Sequence, residues 1–255
     1  MEPRDYAART ESLKSEAAKD WEHFSGWGIM GLPFRSGHIL GLRRFPATSI
    51  GPGYTSLWHR DPAGTWTFYA DAQPMQSCNR YFGSAVERFV PAIIDLTWEG
   101  PRRLTVRIPD ASLEWTSDFV ATAVTRGMNA LGSLMPEFMW RSSIVLGVMS
   151  RLAGVALRAG AVRMHGRAPN GQSFIANPRL IWTISDATAM FGGHDFGPPG
   201  PVRPQAWLGD FALPQRGMLA VGAAFFEPFD QKRHLAVSSR EESRPALSSD
   251  DSARL

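Results

Sequence analysis

Lysine is almost missing from this chain. Among 255 residues it stands only at 14, 19 and 232, so nearly all of the 27 basic side chains are arginine. An imine-forming enzyme needs a lysine amine in its pocket, and positions 20 to 231 contain none. Cysteine occurs once, at Cys78, which excludes an internal disulfide and a cysteine-based zinc site. The six histidines show no HxH or HxxxH spacing, so no metal is expected. GxSxG, phosphate-loop and nucleotide signatures are absent too, and no cofactor is expected. The start, MEPRDYAART, lacks a charged-then-apolar leader, and no uncharged run approaches the ~20 apolar residues of a spanning helix. These features suggest a soluble, cytoplasmic protein. The net charge of +3 is carried by dispersed arginines, which argues against a nucleic-acid partner.

What is abundant is apolar and aromatic: 44% of residues are hydrophobic, with nine tryptophans and fifteen phenylalanines. From Tyr54 to Glu114 they fall into strand patterns. Trp66, Phe68 and Ala70 alternate with polar residues after Asp61-Pro62-Ala63-Gly64, a tight-turn sequence. Ala92, Ile94, Leu96 and Trp98 share a face that matches Leu104, Val106 and Ile108 across Gly100-Pro101. Asp95, Glu99, Arg103 and Arg107 take the other face and read as a solvated charge ladder.

Residues 1–34 read as a polar helix to about 24 and then a loop. The literal GxGxxG at Gly26–Gly31 has no strand before it, and Pro33 follows too soon for a phosphate-binding helix. Residues 35–228 read as a single β-rich domain, with a helical insertion at about 118–159. Asp118 is expected to cap the first helix, and the second buries a stripe of Val145, Val148, Met149, Leu152 and Val155 opposite Arg151 and Arg158. This pair could pack on the sheet, plug a barrel, act as a lid, lie on a membrane surface or form a homodimer. Pro169-Asn170-Gly171 marks a further hairpin, and residues 205–213 another strand. Residues 229–255 read as a disordered tail.

Surplus aromatics can line a cavity for a hydrophobic small molecule or fill a core. Trp58, Trp66, Phe68, Trp98, Trp182 and Trp207 are the candidate lining residues. Asp210 lies on a strand apolar on both faces, so it is the candidate buried general acid. His194 and Asp195, on a glycine- and proline-rich loop, and His59, at a strand end, are candidate acid–base partners. Asp71 and Glu114 are further strand-end candidates, with finishing a turn and facing water beside Thr116 as their respective alternatives.

The order WHRDPAGTWTFYAD followed by VPAIIDLTWEGPRRLTVRIPD resembles the first barrel of the carotenoid 1,2-hydratases (hydroxyneurosporene synthases) and their lipocalin-like relatives. Pro62, Gly64, Trp66, Leu96, Trp98 and Gly100 carry the resemblance, over about a quarter of the chain. It implies two lipocalin-like β halves around an apolar cavity and cofactor-independent chemistry on terpenoid or polyketide chains. It supplies no catalytic residues. The expectation is therefore a mainly β protein, an antiparallel lipocalin-like barrel or pair of β half-barrels with an inserted α-helical hairpin. It would act as a cofactor-independent hydratase, cyclase or isomerase, or as a non-catalytic carrier of the same ligand. An acetoacetate-decarboxylase-like reaction would need the core lysine that the chain lacks.

Overall fold

The chain is mainly β. The computed structural model describes residues 2–15, 17, 18 and 20–235. Helix α1 (Pro3–Thr10) precedes strands β1 (Glu22–Pro33), β2 (Ile39–Thr48), β3 (Tyr54–Arg60) and β4 (Trp66–Ala70). Short helical turns that include α2 (Asn79–Phe82) lead to β5 (Arg88–Pro91), β6 (Asp95–Trp98), β7 (Arg103–Ile108) and β8 (Leu113–Val120). Helices α3 (Ala123–Leu134) and α4 (Ser143–Ala156) come next, then β9 (His165–Arg167), β10 (Ser173–Phe191) and β11 (His194–Asp195). A small hairpin of β12 (Trp207–Leu208) and β13 (Phe211–Ala212) precedes β14 (Met218–Phe226).

The main sheet runs β5-β4-β3-β2-β1-β14-β10-β8-β7-β6, with β9 and β11 added alongside β10. All pairs are antiparallel except β4–β5. Strands β5 and β6 are its opposite edges, yet only residues 92–94 join them. A link that short spans no more than about 14 Å, so the sheet is rolled until its edges nearly meet. Trp98 of edge strand β6 accordingly packs on Trp27 of central strand β1, 5.7 Å between rings. The inside of the roll is filled by Ile29, Leu42, Leu57, Leu104, Trp115 and Trp182. Helix α1 closes it, with Tyr6 5.8 Å from Trp182.

The outer face has two characters. On β6, β7 and β8 it is the charge ladder: Asp95 lies opposite Arg107, Arg107 pairs with Glu114 at 3.0 Å, and Arg103 pairs with Asp118 at 2.7 Å. From β4 across to β10 the outer face is apolar as well, and α2, α3, α4 and the β12–β13 hairpin cover it. The turn at 61–64 forms as its composition demands: Gly64 has φ +100°, and the Asp61 carboxylate accepts from the Thr65 N–H at 2.9 Å.

Several local readings are corrected. Gly26–Gly31 is strand, not loop, and lies in the middle of the sheet. Its glycines serve close approach: a Cβ on Gly28 would sit 2.2 Å from the Leu42 carbonyl oxygen, and one on Gly26 2.1 Å from that of Arg44. The N-terminal helix ends at Thr10, not near 24. Asp118 caps nothing, because β8 continues its alternation through Phe119; the Thr122 hydroxyl caps α3 instead. Ser185-Asp186 does not turn the chain, since β10 absorbs it as a register shift. The expected strand at 205–213 breaks into a hairpin around Gly209, which has φ +59°. Of the expected tail, residues 236–255 lie outside the described residues.

Helix α4 is turned over relative to expectation. Leu146, Ser150, Ala153 and Gly154 are buried, whereas Val148, Leu152 and Val155 face outward beside Arg151. The small pair Ala153-Gly154 allows the chain to return closely, since a Cβ at Gly154 would lie 2.4 Å from the Gly160 carbonyl oxygen. Among the described residues, no helix is long and apolar enough to cross a membrane.

Two glycine substitutions should separate close packing from free space. Gly28→Ala, blocked by backbone, is expected to lower stability in urea titrations by about 2 kcal/mol or more. Gly127→Ala, in the interior of α3 with open space around it, is expected to raise stability by up to about 1 kcal/mol.

Candidate ligand cavity

Where the second layer meets the outer sheet face, it does not close fully. A cavity of about 240 Å³ remains, walled by Phe24, Trp58, Phe82, Phe211 and Phe226, with Met30, Met128 and Met149 among its flexible lining. The sheet supplies one wall because alternate residues of β1, β2, β3 and β14 point outward onto it. Helices α3 and α4 supply the other. Asn129 pins α3 by exchanging two hydrogen bonds with the Ile181 backbone, at 2.8 and 3.0 Å. The Ser150 hydroxyl pins α4 by accepting from the Met164 N–H at 3.0 Å. Leu131 and Leu152 line the cavity yet are 61% and 63% exposed, which places its mouth between the helices. A wider depression of about 460 Å³ under α1 is lined by Glu11, Arg44, Asp71 and Asp95, and is far more polar.

The cavity holds one buried charge. Arg43 on β2 is 5% exposed and has no carboxylate partner among the described residues. The register of β1 against β2 shifts between Ile29 and Leu32, and the carbonyls there cradle the guanidinium. Its Nη1 donates to Ile29 O at 2.6 Å and Leu42 O at 2.9 Å, and its Nη2 to Met30 O at 3.2 Å. Trp58 lies 4.4 Å away and Phe211 5.6 Å, both ring faces towards the cation. Burial lowers the guanidinium pKa to about 10, so it stays charged at neutral pH. Stripping such a group of water costs several kcal/mol, and carbonyls and ring faces offset only part of that.

Tyr54 and Cys78 complete the polar corner. The Tyr54 hydroxyl is 3.1 Å from the Cys78 sulfur, and both residues line the cavity. Burial raises both pKa values, against the opposing pull of Arg43, so phenol and thiol are neutral at pH 7. The Trp58 indole lies beside the same thiol, but its N–H makes no hydrogen bond. Glu22 is engaged elsewhere, by Arg80 at 2.5 Å and the Tyr81 hydroxyl at 2.5 Å. Among the described residues, no aspartate or glutamate lines the cavity.

The residues singled out in the sequence are scattered. Asp210 is exposed in the β12–β13 turn, where its carboxylate accepts from the Arg167 N–H at 2.9 Å. The broken strand gives it the solvent access that a continuous one would have denied. His194 and Asp195 are exposed on β11, bonded to Gly192 and Gly197 of their own loop. Asp71 holds the Thr55 N–H at a strand end, and Glu114 belongs to the outer ladder. Trp58 lines the cavity. Trp66 and Phe68 lie behind it, Phe68 stacked on Trp58 at 4.4 Å. Trp98 and Trp182 face the inside of the roll, and Trp207 is exposed. Sequence reasoning missed Arg43, Tyr54 and Cys78. Arg43-Arg44 was the available signal: in a strand flanked by apolar residues, adjacent arginines must take opposite faces, and only one can reach water.

His59 also points away from the cavity. It packs against Phe196 and meets His38, with Nε2 2.9 Å from His38 Nδ1. Among the described residues, no three His, Cys, Asp or Glu side chains converge as a metal site needs.

No protein-family model matches the chain, and no curated protein matches it. Among solved structures it is similar to an acetoacetate decarboxylase from Legionella pneumophila subsp. pneumophila str. Philadelphia 1. The identity is 9% over 88% of this chain and 90% of that one, with a TM-score of 0.39. A likeness that distant carries no inference about chemistry.

The histidine pair generates a pH dependence. Burial, then the neighbouring His38, lowers the His59 pKa from 6.5 to about 4. The unfolded chain therefore binds the proton more readily between those values. Stability from this site is full above about pH 6.5 and falls as pH drops towards about 4, by on the order of 3 kcal/mol. In urea titrations across that range, His59→Phe is expected to flatten the slope.

Proposed function

We propose that the protein binds a hydrophobic small molecule in the cavity between the outer sheet face and helices α3 and α4. The observation that carries this reading is the cavity itself: an aromatic and methionine wall, with a mouth between two helices. Methionines suit a site that adapts to ligand shape. Binding without conversion, the carrier form of this function, is what an almost wholly apolar wall supports best.

A second reading, conversion of the ligand without a cofactor, is favoured by one observation. Arg43, Tyr54 and Cys78 converge at one corner. Hydration or cyclisation of a terpenoid chain, as the resemblance to carotenoid 1,2-hydratases implies, needs an acid strong enough to protonate an alkene. Among the described residues, the cavity presents only two phenols, Tyr54 and Tyr81, and the Cys78 thiol, all made weaker acids by burial. Isomerisation through an enolate suits the corner better, because a fixed cation stabilises an oxyanion.

Native mass spectrometry of freshly purified protein, with titration of an environment-sensitive apolar dye, tests the binding reading. A co-purified apolar molecule or saturable dye binding is expected. Ala224→Trp, which fills the cavity from β14, should abolish saturable binding while leaving the far-ultraviolet circular dichroism unchanged. Dye binding unaffected by that substitution would place the ligand elsewhere.

A further inference from the structure

We propose that Arg43 is an anion receptor, so that the molecule taken by the cavity is amphipathic and ends in a carboxylate lying against the guanidinium. This rests on the hydrophobic-ligand reading above and adds the chemistry of the ligand's polar end. The chain uses three of the five guanidinium donors, on Ile29, Leu42 and Met30. Nε–H and one Nη2 hydrogen have no partner among the described residues. These two nitrogens share one edge of the guanidinium, and such an edge receives both oxygens of a carboxylate. The side chain sits within the cavity lining, and among the described residues nothing there offers negative charge. Protein interiors rarely keep a cation unpaired, and a pairing anion supplied by the ligand completes the site. Arg43 is the single buried cation, since Arg163, the other arginine of the lining, is exposed, and a monoanion matches its charge. The neighbouring Tyr54 hydroxyl is placed to donate to a carboxylate oxygen, and the ring walls of Trp58 and Phe211 fix the plane in which it docks.

The test compares straight-chain and aryl carboxylic acids with their own methyl esters, by calorimetry and tryptophan quenching at neutral pH. Each ester keeps the apolar body and loses the charge. For the acids that fit, affinity is expected to exceed that of the ester by at least about tenfold. Arg43→Met is expected to bring the two to near parity while keeping ester binding. Equal affinities in the unsubstituted protein would overturn the carboxylate inference and leave the apolar-ligand reading intact. Failure of every acid and every ester to bind would overturn both. The acid–ester comparison decides the matter even where Arg43→Met does not fold.

A different observation carries a second proposal: the outer face of α3 and α4 docks on an anionic lipid surface. Leu131, Leu134, Phe138, Ile144, Leu152 and Val155 are all more than 60% exposed there. This is far beyond the isolated apolar residues of an ordinary surface. The helical segment 122–158 carries four exposed arginines, at 126, 141, 151 and 158, and a single acid, Glu137, which Arg179 of β10 engages. A second copy of this face would set arginine against arginine, whereas anionic headgroups complement it. The cavity mouth opens between the same helices, so a docked molecule would exchange its apolar ligand directly with the bilayer. Sedimentation with phosphatidylglycerol-containing vesicles is expected to capture the protein at low salt, and pure phosphatidylcholine vesicles are not. The paired change Ile144→Asp, Val155→Asp, at positions that face solvent, should release it. Failure to bind anionic vesicles would overturn the proposal, whether the protein in solution proves a dimer or a monomer by light scattering.

Discussion

A sheet that is apolar on its inner face throughout, and on its outer face from β4 across to β10, must find cover for both, and that constraint organises this molecule. One face is covered by curling: the sheet rolls until edge strands β5 and β6 are joined by three residues, and Trp27, Trp98, Trp115 and Trp182 fill the inside. The outer face cannot be covered that way. It takes on helices, short turns and a small hairpin gathered from three separate parts of the chain. A covering assembled from pieces leaves seams, and the cavity is such a seam. It therefore lies outside the roll, against the convex face, instead of at its centre.

Arg43 follows from the same geometry. Strand β2 carries two adjacent arginines, and the pleat sends them to opposite faces. Arg44 reaches Glu11 at the surface, 2.7 Å away. Arg43 is left under the second layer, where a shift in register against β1 exposes carbonyl oxygens to receive it. A buried charge held by carbonyls and ring faces, with donors to spare, is a costly arrangement for stability alone. That cost falls at the wall of the cavity.

The elements readable from sequence were those whose cause is local. The 61–64 turn, the hairpin through Gly100 and the ladder from Asp95 to Arg107 are all set by residues within a few positions of one another. Where the cause lay far along the chain, local rules misled. The glycines of β1 look like loop residues, but they are spaces for the backbones of β2. The stripe Val148, Leu152, Val155 looks like a buried face, but contact with residues near 160 and with the sheet turned α4 so that its smaller residues face inward. Asp210 looked buried because two apolar faces surround it in sequence, and a turn at Gly209 released it to solvent.

From the sequence alone came the class of the molecule: a mainly β chain, rich in aromatics, without a lysine in its body and with hairpins at legible turns. Those properties depend on composition and on alternation over short spans. Which face each tryptophan takes, where the cavity opens and which arginine is trapped beneath the second layer depend on how distant strands and helices stack. Side-chain period tells that a strand has two faces; it does not tell which of them the rest of the chain will cover. Only the tertiary structure brought residues 43, 54 and 78 to one corner, because their meeting requires β2, β3 and the segment before α2 to share the same outer face.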